Sequence, residues 1–299
     1  MKKTRQNKNP VMRSRKLVLA GLCLVMLGAS AAQAERAREI VTHDDVRIDV
    51  IAEGSGPPVV LLPGRGRDSL DFDDLAAGIA KAGYRVLRPQ PRGAGDSHGP
   101  LQNLTLHDFA RDIAAVIRHQ GNAPAVIVGH AFGNWVGRMT ATDYPELVRG
   151  VVIVAAAAKA YPAGFAGAKE LSDAVRQAGD LSRPEAERLE ALRFAFFAPG
   201  HDARVWLSGW HPEVDESQFA AGRATKQSEW WPGGKAPLLD VQAELDPFKP
   251  RSMMNEIRDE FGARAEIVVI PNASHALIPE QPAAVTDAIV TWIGRLPKP

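Results

Sequence analysis

The sequence predicts an α/β fold in which a mostly parallel central sheet carries helices on both faces. Two observations predict it. Short apolar runs alternate with amphipathic stretches of helical period along most of the chain. Several of those runs, Pro58-Val59-Val60-Leu61-Leu62 among them, are continuously apolar, as strands buried on both faces are. In such sheets ligands bind outside the carboxyl ends of the strands, so the strand-to-helix junctions are where chemistry is sought.

The first residues stand apart from this pattern. Lys2, Lys3, Arg5, Lys8, Arg13, Arg15 and Lys16 form a basic stretch, Leu17 to about Gly28 is apolar, and Ala32-Gln33-Ala34 has the small-x-small pattern of a cleavage site. Residues 1–34 are therefore expected to be a signal peptide, and the remainder an exported chain, periplasmic or secreted. The apolar run is shorter than the ~20 residues of a membrane span, so no stable membrane anchoring is expected after cleavage. Cys23, the one cysteine, falls in this stretch, which leaves the rest of the chain without disulfide or thiol chemistry. The stretch also takes seven of the 36 Lys and Arg and none of the 35 Asp and Glu, leaving 29 cations against 35 anions, about −6. That balance argues against nucleic acid or an anionic membrane as the main partner.

The elements follow in order. Arg47–Glu53 alternates apolar and polar residues like a half-exposed strand, and Pro58–Leu62 is a buried one. Phe72–Ala82 has helical spacing and stops at Gly83. Tyr84–Leu87 reads as a strand, and Leu106–Gln120 as a helix with Phe109, Ile113, Val116 and Ile117 on one side. Ala125–Val128 is a buried strand, Trp135–Asp143 a helix and Gly150–Ala156 another buried strand. From about Lys159 to Lys235 the rhythm breaks: helix-forming runs (Ala168–Gln177, Pro184–Phe197) are separated by Pro and Gly, with no apolar strand, and Trp206, Trp210, Trp230 and Trp231 sit in the second half. Strands at Pro237–Val241 and Glu266–Ile270 flank a helical Met253–Phe261, and a last helix runs from about Pro282 to Gly294. The predicted organisation is a core of 35–158 and 236–299 interrupted by a helical cap insertion, 159–235.

Three junctions carry chemistry. After the strand ending at Val128 comes Gly129-His130-Ala131-Phe132-Gly133 and then a helix. Glycines on either side of one residue permit a turn too sharp for flanking side chains, which holds the central residue at the mouth of a site. A nucleophile elbow has Ser, Cys or Asp there; here it is Ala131, which has no nucleophilic or acid–base atom. After Pro237–Val241 comes Glu244-Leu245-Asp246-Pro247, and after Glu266–Ile270 comes Asn272-Ala273-Ser274-His275-Ala276. A carboxylate and a histidine thus follow successive strands, with Glu244 the local rival to Asp246. Their chemistry is that of a pair in which the acid orients the imidazole and the imidazole moves protons.

From Val59 to the C-terminus the chain resembles the capped α/β-hydrolase superfamily of esterases, epoxide hydrolases and haloalkane dehalogenases. Besides the three junctions, Leu61-Leu62-Pro63-Gly64-Arg65-Gly66 stands where that family has its oxyanion loop, and Pro91-Arg92-Gly93-Ala94-Gly95-Asp96-Ser97 is similar to its Arg-Gly-x-Gly-x-Ser segment. The resemblance implies an ester-hydrolase type of site, with Asp246 as acid, His275 as base, and an oxyanion hole from the backbone N–H groups of Arg65 and Phe132. The chain departs from the pattern at Pro63, which replaces a histidine where only a backbone donor matters, and at Ala131. The second departure removes covalent acyl-enzyme chemistry, and dehalogenase or epoxide-hydrolase chemistry, which needs Asp there, is disfavoured.

The remaining candidates are ranked by context. His130, beside the elbow, and Trp206, Trp210 and Trp230 are candidates to line a pocket. Arg65 and Arg67 could meet an anionic ligand. His98 and His107 read as surface or capping residues, and Ser97 and Ser274 as poor stand-in nucleophiles. No metal site is indicated, since no histidines show ligand spacing, and no cofactor is implied. A small molecule, ester-like or carbonyl, is the expected partner. Three readings of function stay open: a hydrolase whose nucleophile has been replaced, a His/Asp-dependent enzyme using no covalent nucleophile, and a non-catalytic small-molecule binder.

Overall fold

The computed structural model describes residues 1–2, 36–161, 165 and 167–297. The signal peptide expected over residues 1–34 lies outside the described residues save for Met1 and Lys2. The chain divides into Met1–Gln33 and Ala34–Pro299, and all described strands and helices belong to the second unit. No described helix is long and apolar enough to cross a membrane.

The strands are β1 (Ala37–His43), β2 (Val46–Glu53), β3 (Pro58–Leu62), β4 (Arg85–Pro89), β5 (Ala125–His130), β6 (Val148–Val154), β7 (Leu238–Ala243) and β8 (Ala265–Ile270). They form one sheet in the order β1-β2-β4-β3-β5-β6-β7-β8. The pairs β1–β2 and β2–β4 are antiparallel, and every pair from β4 to β8 is parallel. Between the strands lie α1 (Asp73–Lys81), α2 (Leu106–His119), α3 (Phe132–Asp143), α4 (Ala168–Gly179), α5 (Glu185–Ala195), α6 (Pro212–Ala224), α7 (Gln227–Trp230), α8 (Glu256–Phe261), α9 (Leu277–Glu280) and α10 (Pro282–Arg295).

The continuous apolar runs become intelligible from the two faces of this sheet. Val60, Leu62, Ile127, Val151 and Ile153 join one cluster with residues of α2 and α3, including Phe109, Ile113, Val136 and Met139. Their neighbours Val59, Leu61, Val126, Val128, Val152 and Val154 join a second cluster with Leu75 and Ile79 of α1 and Val285, Ile289 and Trp292 of α10. Successive side chains of a strand point to opposite faces, and helices cover both, so consecutive positions in these runs are apolar. A third cluster gathers Leu171, Leu192, Phe196, Trp206 and Trp210 of the segment between β6 and β7, and reaches Ala276. Among the described residues this segment contains helices and no strand.

Four elements escaped the sequence reading: β1, α6 and the four-residue α7 and α9. β1 is an edge strand whose residues are mostly exposed or half-buried, so its side chains show little apolar alternation. α6 was legible in principle: Pro212 opens it, Glu213 and Asp215 occupy its first turn and Arg223 its last, which are N- and C-terminal helix signals. Helix and strand ends also shift, since β5 runs on through Gly129 and His130, and α3 begins at Phe132.

Candidate active site

The junction between β5 and α3 is built by close packing. Ala131 has φ 45° and ψ −110°, a left-handed backbone that L-residues rarely adopt. Its N–H donates to the Val154 carbonyl at 2.9 Å, and its own carbonyl accepts from the Asn134 N–H at 3.2 Å. Both flanking glycines are sterically required. A Cβ on Gly133 would lie 2.2 Å from the Leu62 carbonyl oxygen, and one on Gly129 would lie 2.4 Å from the Asn134 nitrogen. These are backbone atoms that cannot turn away. Gly133→Ala is therefore expected to destabilise the fold by about 3 kcal/mol or more and to lower the thermal midpoint by at least about 5 °C; a melting curve indistinguishable from the parent's contradicts the packing described.

Arg138 anchors the far side of the same helix. Its guanidinium is wholly buried between the rings of Trp230 and Trp231, and donates to Asn134 Oδ1 at 2.7 and 3.0 Å and to the Trp231 carbonyl at 3.0 Å. Burial pulls its pKa down to about 10, so it stays charged at neutral pH. Asn134, in turn, donates to the Ala131 carbonyl, which links this buried cation to the strained turn.

Asp246 follows β7 and His275 follows β8, the neighbouring strand. His275 Nδ1 and Asp246 Oδ2 are 3.0 Å apart, with both side chains at least nine-tenths buried. Asp246 Oδ1 accepts from the Phe248 N–H at 2.9 Å, which fixes the carboxylate plane. With a carboxylate at Nδ1, that nitrogen carries the proton and Nε2 is left as the acceptor. The His275 loop is held from three sides. His130 Nε2 lies 2.8 Å from the His275 carbonyl and donates to it, the Ala276 N–H donates to the Phe196 carbonyl at 2.8 Å, and the Glu280 carboxylate accepts from the Ser274 and Ala198 N–H groups at 2.6 and 2.5 Å. Burial pushes the Glu280 carboxyl above the usual range.

His130 itself is buried against the rings of His275 and Trp206. Its burial, reinforced by the positive fields of His275 and Arg67, pulls its pKa down to about 3, so it is a neutral donor at physiological pH. Glu244, the rival carboxylate, points elsewhere and accepts from the Asn272 N–H.

Ala131, His130, His275, Phe132 and Arg65 meet at one cavity of about 460 Å³, within the usual range for small-molecule sites. Phe132 is the first residue of α3, so its N–H has no intrahelical acceptor. Trp206 and Trp210 line the cavity, as do Phe196, Phe219 and Phe248. Trp230 does not. It is 3% exposed and stacks on Trp135, with ring centroids 4.7 Å apart, and it is Trp135 that reaches the cavity. The expectation for Trp230 is thus corrected: the flat indole of Trp135 and the Arg138 cation both pack against its ring and hold it in the core. Phe248, two residues after Asp246, was findable from that spacing; Phe219 and Asp215 were missed together with α6, whose end signals mark a helix but not which of its residues face a cavity.

Other candidates fall outside the site. Ser97 is buried and pinned in its turn, donating to the Gln90 carbonyl and accepting from the Asp49 N–H, each at 2.9 Å. Ser274 Oγ donates to the Leu245 carbonyl at 3.3 Å. His107 bridges Asp143 and Glu229 across α2, α3 and α7, and those carboxylates raise its pKa. His98 pairs with Arg47 through the backbone. Among the described residues no three His, Cys, Asp or Glu side chains are grouped to hold a metal ion.

Residues 57–282 match a protein-family model described as the alpha/beta hydrolase fold. The 2-(acetamidomethylene)succinate hydrolase of Mesorhizobium japonicum is 31% identical over 109 residues, which cover 36% of this chain and only 39% of that protein. An sn-1-specific diacylglycerol lipase of Mus musculus is 23% identical over 256 residues, covering 80% of this chain and 81% of the lipase. The crystal structure of an E-2-(acetamidomethylene)succinate hydrolase superposes with a TM-score of 0.70 at 21% identity, covering 87% of this chain and all of the other.

Proposed function

The chain belongs to the alpha/beta hydrolase fold family, and from that premise we propose that it acts on a small ester-like or carbonyl molecule through the His275–Asp246 pair, without a covalent nucleophile. The observation that carries this reading is the pair itself: a buried imidazole, held by a carboxylate at 3.0 Å, lining the same cavity as the Ala131 methyl group. Burying an anion beside an imidazole has a desolvation cost that binding alone does not require, and it leaves Nε2 as a base at the cavity wall.

In this reading the substrate carbonyl lies beside Ala131. The N–H of Phe132, with that of Arg65, receives the oxyanion as charge develops, and His275 takes a proton from an attacking water and returns it to the leaving group. Asp246 orients the ring and stabilises the imidazolium. No acyl-enzyme forms, so turnover is slow: in triad enzymes without their nucleophile, roughly 10³–10⁴-fold over water survives from binding and the oxyanion hole. The helical segment 159–235, which contributes Trp206, Trp210 and Phe219 to the cavity, serves as its cap and sets which molecules enter.

The test is hydrolysis of p-nitrophenyl acetate by the full chain beside its His275→Ala variant. The expected result is weak turnover above buffer that falls by about 10²-fold or more in the variant, the lower end of what general acid–base catalysis supplies. Equal rates in both proteins remove the proposed base and leave the cavity as a binder.

A further inference from the structure

The charge lining the cavity is opposite in sign to that of the chain around it. Beyond residues 1–34 the sequence carries more Asp and Glu than Lys and Arg, yet Arg65, Arg67, Arg176 and Arg223 line the cavity against one carboxylate, Asp215. These arginines are not equivalent. Arg67 is fully engaged in the protein: it forms a two-point ion pair with Asp71, donates to the carbonyls of Trp206 and Ser208, and lies between the rings of Trp206 and Trp210, 4.8 and 4.6 Å from their centroids. Arg176 is bound to Ser172 and Asp173 on its own helix.

Arg65 and Arg223 are arranged differently. The Arg65 guanidinium lies 5.0 Å from the centre of the Phe219 ring and that of Arg223 lies 5.8 Å from the same ring. Arg65 commits Nε to Asp215 at 2.8 Å. Among the described residues, that is the one salt bridge made by either guanidinium. Two cations therefore lie near one aromatic ring, and of the two only Arg65 is ion-paired among the described residues, so its two terminal nitrogens and all of Arg223 keep donors to offer. A planar fork of N–H groups matches the geometry of a carboxylate. Contact with the face of an aromatic ring favours a charged, planar guanidinium.

We propose that the ligand of this cavity carries a carboxylate bound by Arg65 and Arg223 beside Phe219, with its ester or carbonyl group at the Ala131–His275 end. The class of molecule is thus a half-ester, or an analogous acyl derivative, of a short dicarboxylic acid. The proposal rests on reading the cavity as the small-molecule site, and it deepens that reading by naming one end of the substrate. Arg65 serves twice, through its backbone N–H at the reacting end and through its side chain at the recognition end. The neighbouring aromatic rings of Phe196, Phe248 and Trp206 line the apolar middle.

The test measures binding and so stands apart from the hydrolysis assay. Monomethyl glutarate, an anion at about pH 7.5, and neutral dimethyl glutarate are titrated by calorimetry into the full chain at roughly 20 mM ionic strength. The monoester is expected to bind about tenfold more tightly or better, as charge-assisted hydrogen bonds of this kind supply, and the preference is expected to shrink as salt is raised to about 0.5 M. Arg223 is exposed at the rim, so Arg223→Gln perturbs no core packing; it is expected to remove most of the preference, and Arg65→Gln/Arg223→Gln to abolish it while both variants melt cooperatively. Equal affinity for the two esters, binding of neither, or a preference that persists in the double variant overturns the proposal. An esterase assay that fails while the monoester preference holds counts against the hydrolytic reading alone.

Discussion

Ala131→Ser is expected to raise kcat/KM for p-nitrophenyl acetate by about 10²-fold or more, a small part of the roughly 10⁶-fold that a triad enzyme loses without its nucleophile. The backbone that a nucleophile needs is already present. Ala131 sits at φ 45° between a strand and a helix, held there by the Val154 carbonyl and by two glycines whose Cβ positions are occupied by other backbone atoms. Strain of this kind costs of order 1–3 kcal/mol and persists only where the surrounding structure enforces it. A seryl side chain adds one oxygen to a methyl group that already faces the cavity, so it requires no new backbone conformation. It also acquires what an isolated serine lacks, a nearby imidazole whose Nδ1 is occupied by a carboxylate and whose Nε2 is free to accept a proton. Pre-steady-state release of p-nitrophenol checks the mechanism, because a covalent acyl-enzyme gives a burst that the parent protein does not. A folded Ala131→Ser protein with no gain means that the cavity does not present a carbonyl to this position, and the hydrolytic reading falls.

In that Ala131→Ser background, Asp246→Asn is expected to reduce kcat by about 10³–10⁴-fold while leaving the thermal midpoint within a few degrees of the parent's. The reason is the tautomer. A carboxylate can only accept, so Nδ1 of His275 must carry the proton; an amide of the same shape can present its NH₂ group to Nδ1, which moves the proton to Nε2 and leaves no base toward the cavity. The ion pair formed with the imidazolium during turnover is lost as well. Because Asp246 Oδ1 accepts from the Phe248 N–H and an amide oxygen can do the same, the loop keeps its shape. The expected pattern is therefore a collapse of kcat with little change in binding of monomethyl glutarate. A loss of less than about tenfold means that the pair does not act as an acid–base unit, however close its atoms are.

The effects of these two changes are distinguishable from that of the glycine change. Gly133→Ala acts through the backbone and should lower stability and activity together, whereas Asp246→Asn separates them. That separation matters at this site because the buried supports, Glu280 beneath the His275 loop and Arg138 behind α3, tie stability to geometry everywhere else.

Residue patterns alone carried much of this architecture. The sheet's central strands were legible because burial on both faces favours apolar side chains at successive positions, so β3, β5 and β6 contain the runs Val59–Leu62, Ala125–Val128 and Val151–Val154. The elbow was legible because only glycine fits where a Cβ would strike backbone, and the Asp246 and His275 positions because each follows a strand's carboxyl end. These are local constraints, imposed within a few residues of the side chain concerned. The contacts of Arg65 with Asp215 and Phe219 span some 150 residues of sequence, and nothing within either segment announces the other. Trp230 illustrates the same limit: by composition it belonged with Trp206 and Trp210, yet a flat stacking partner on α3 and a buried guanidinium drew it into the core. What the sequence by itself determined is the α/β architecture and the identity of the residues at the strand ends, because close packing and backbone strain act on neighbours. Which aromatic rings face the cavity, which arginines are already paired and which remain free to meet a ligand were decided only by the tertiary structure, because those choices depend on competition among partners that the chain brings together only on folding.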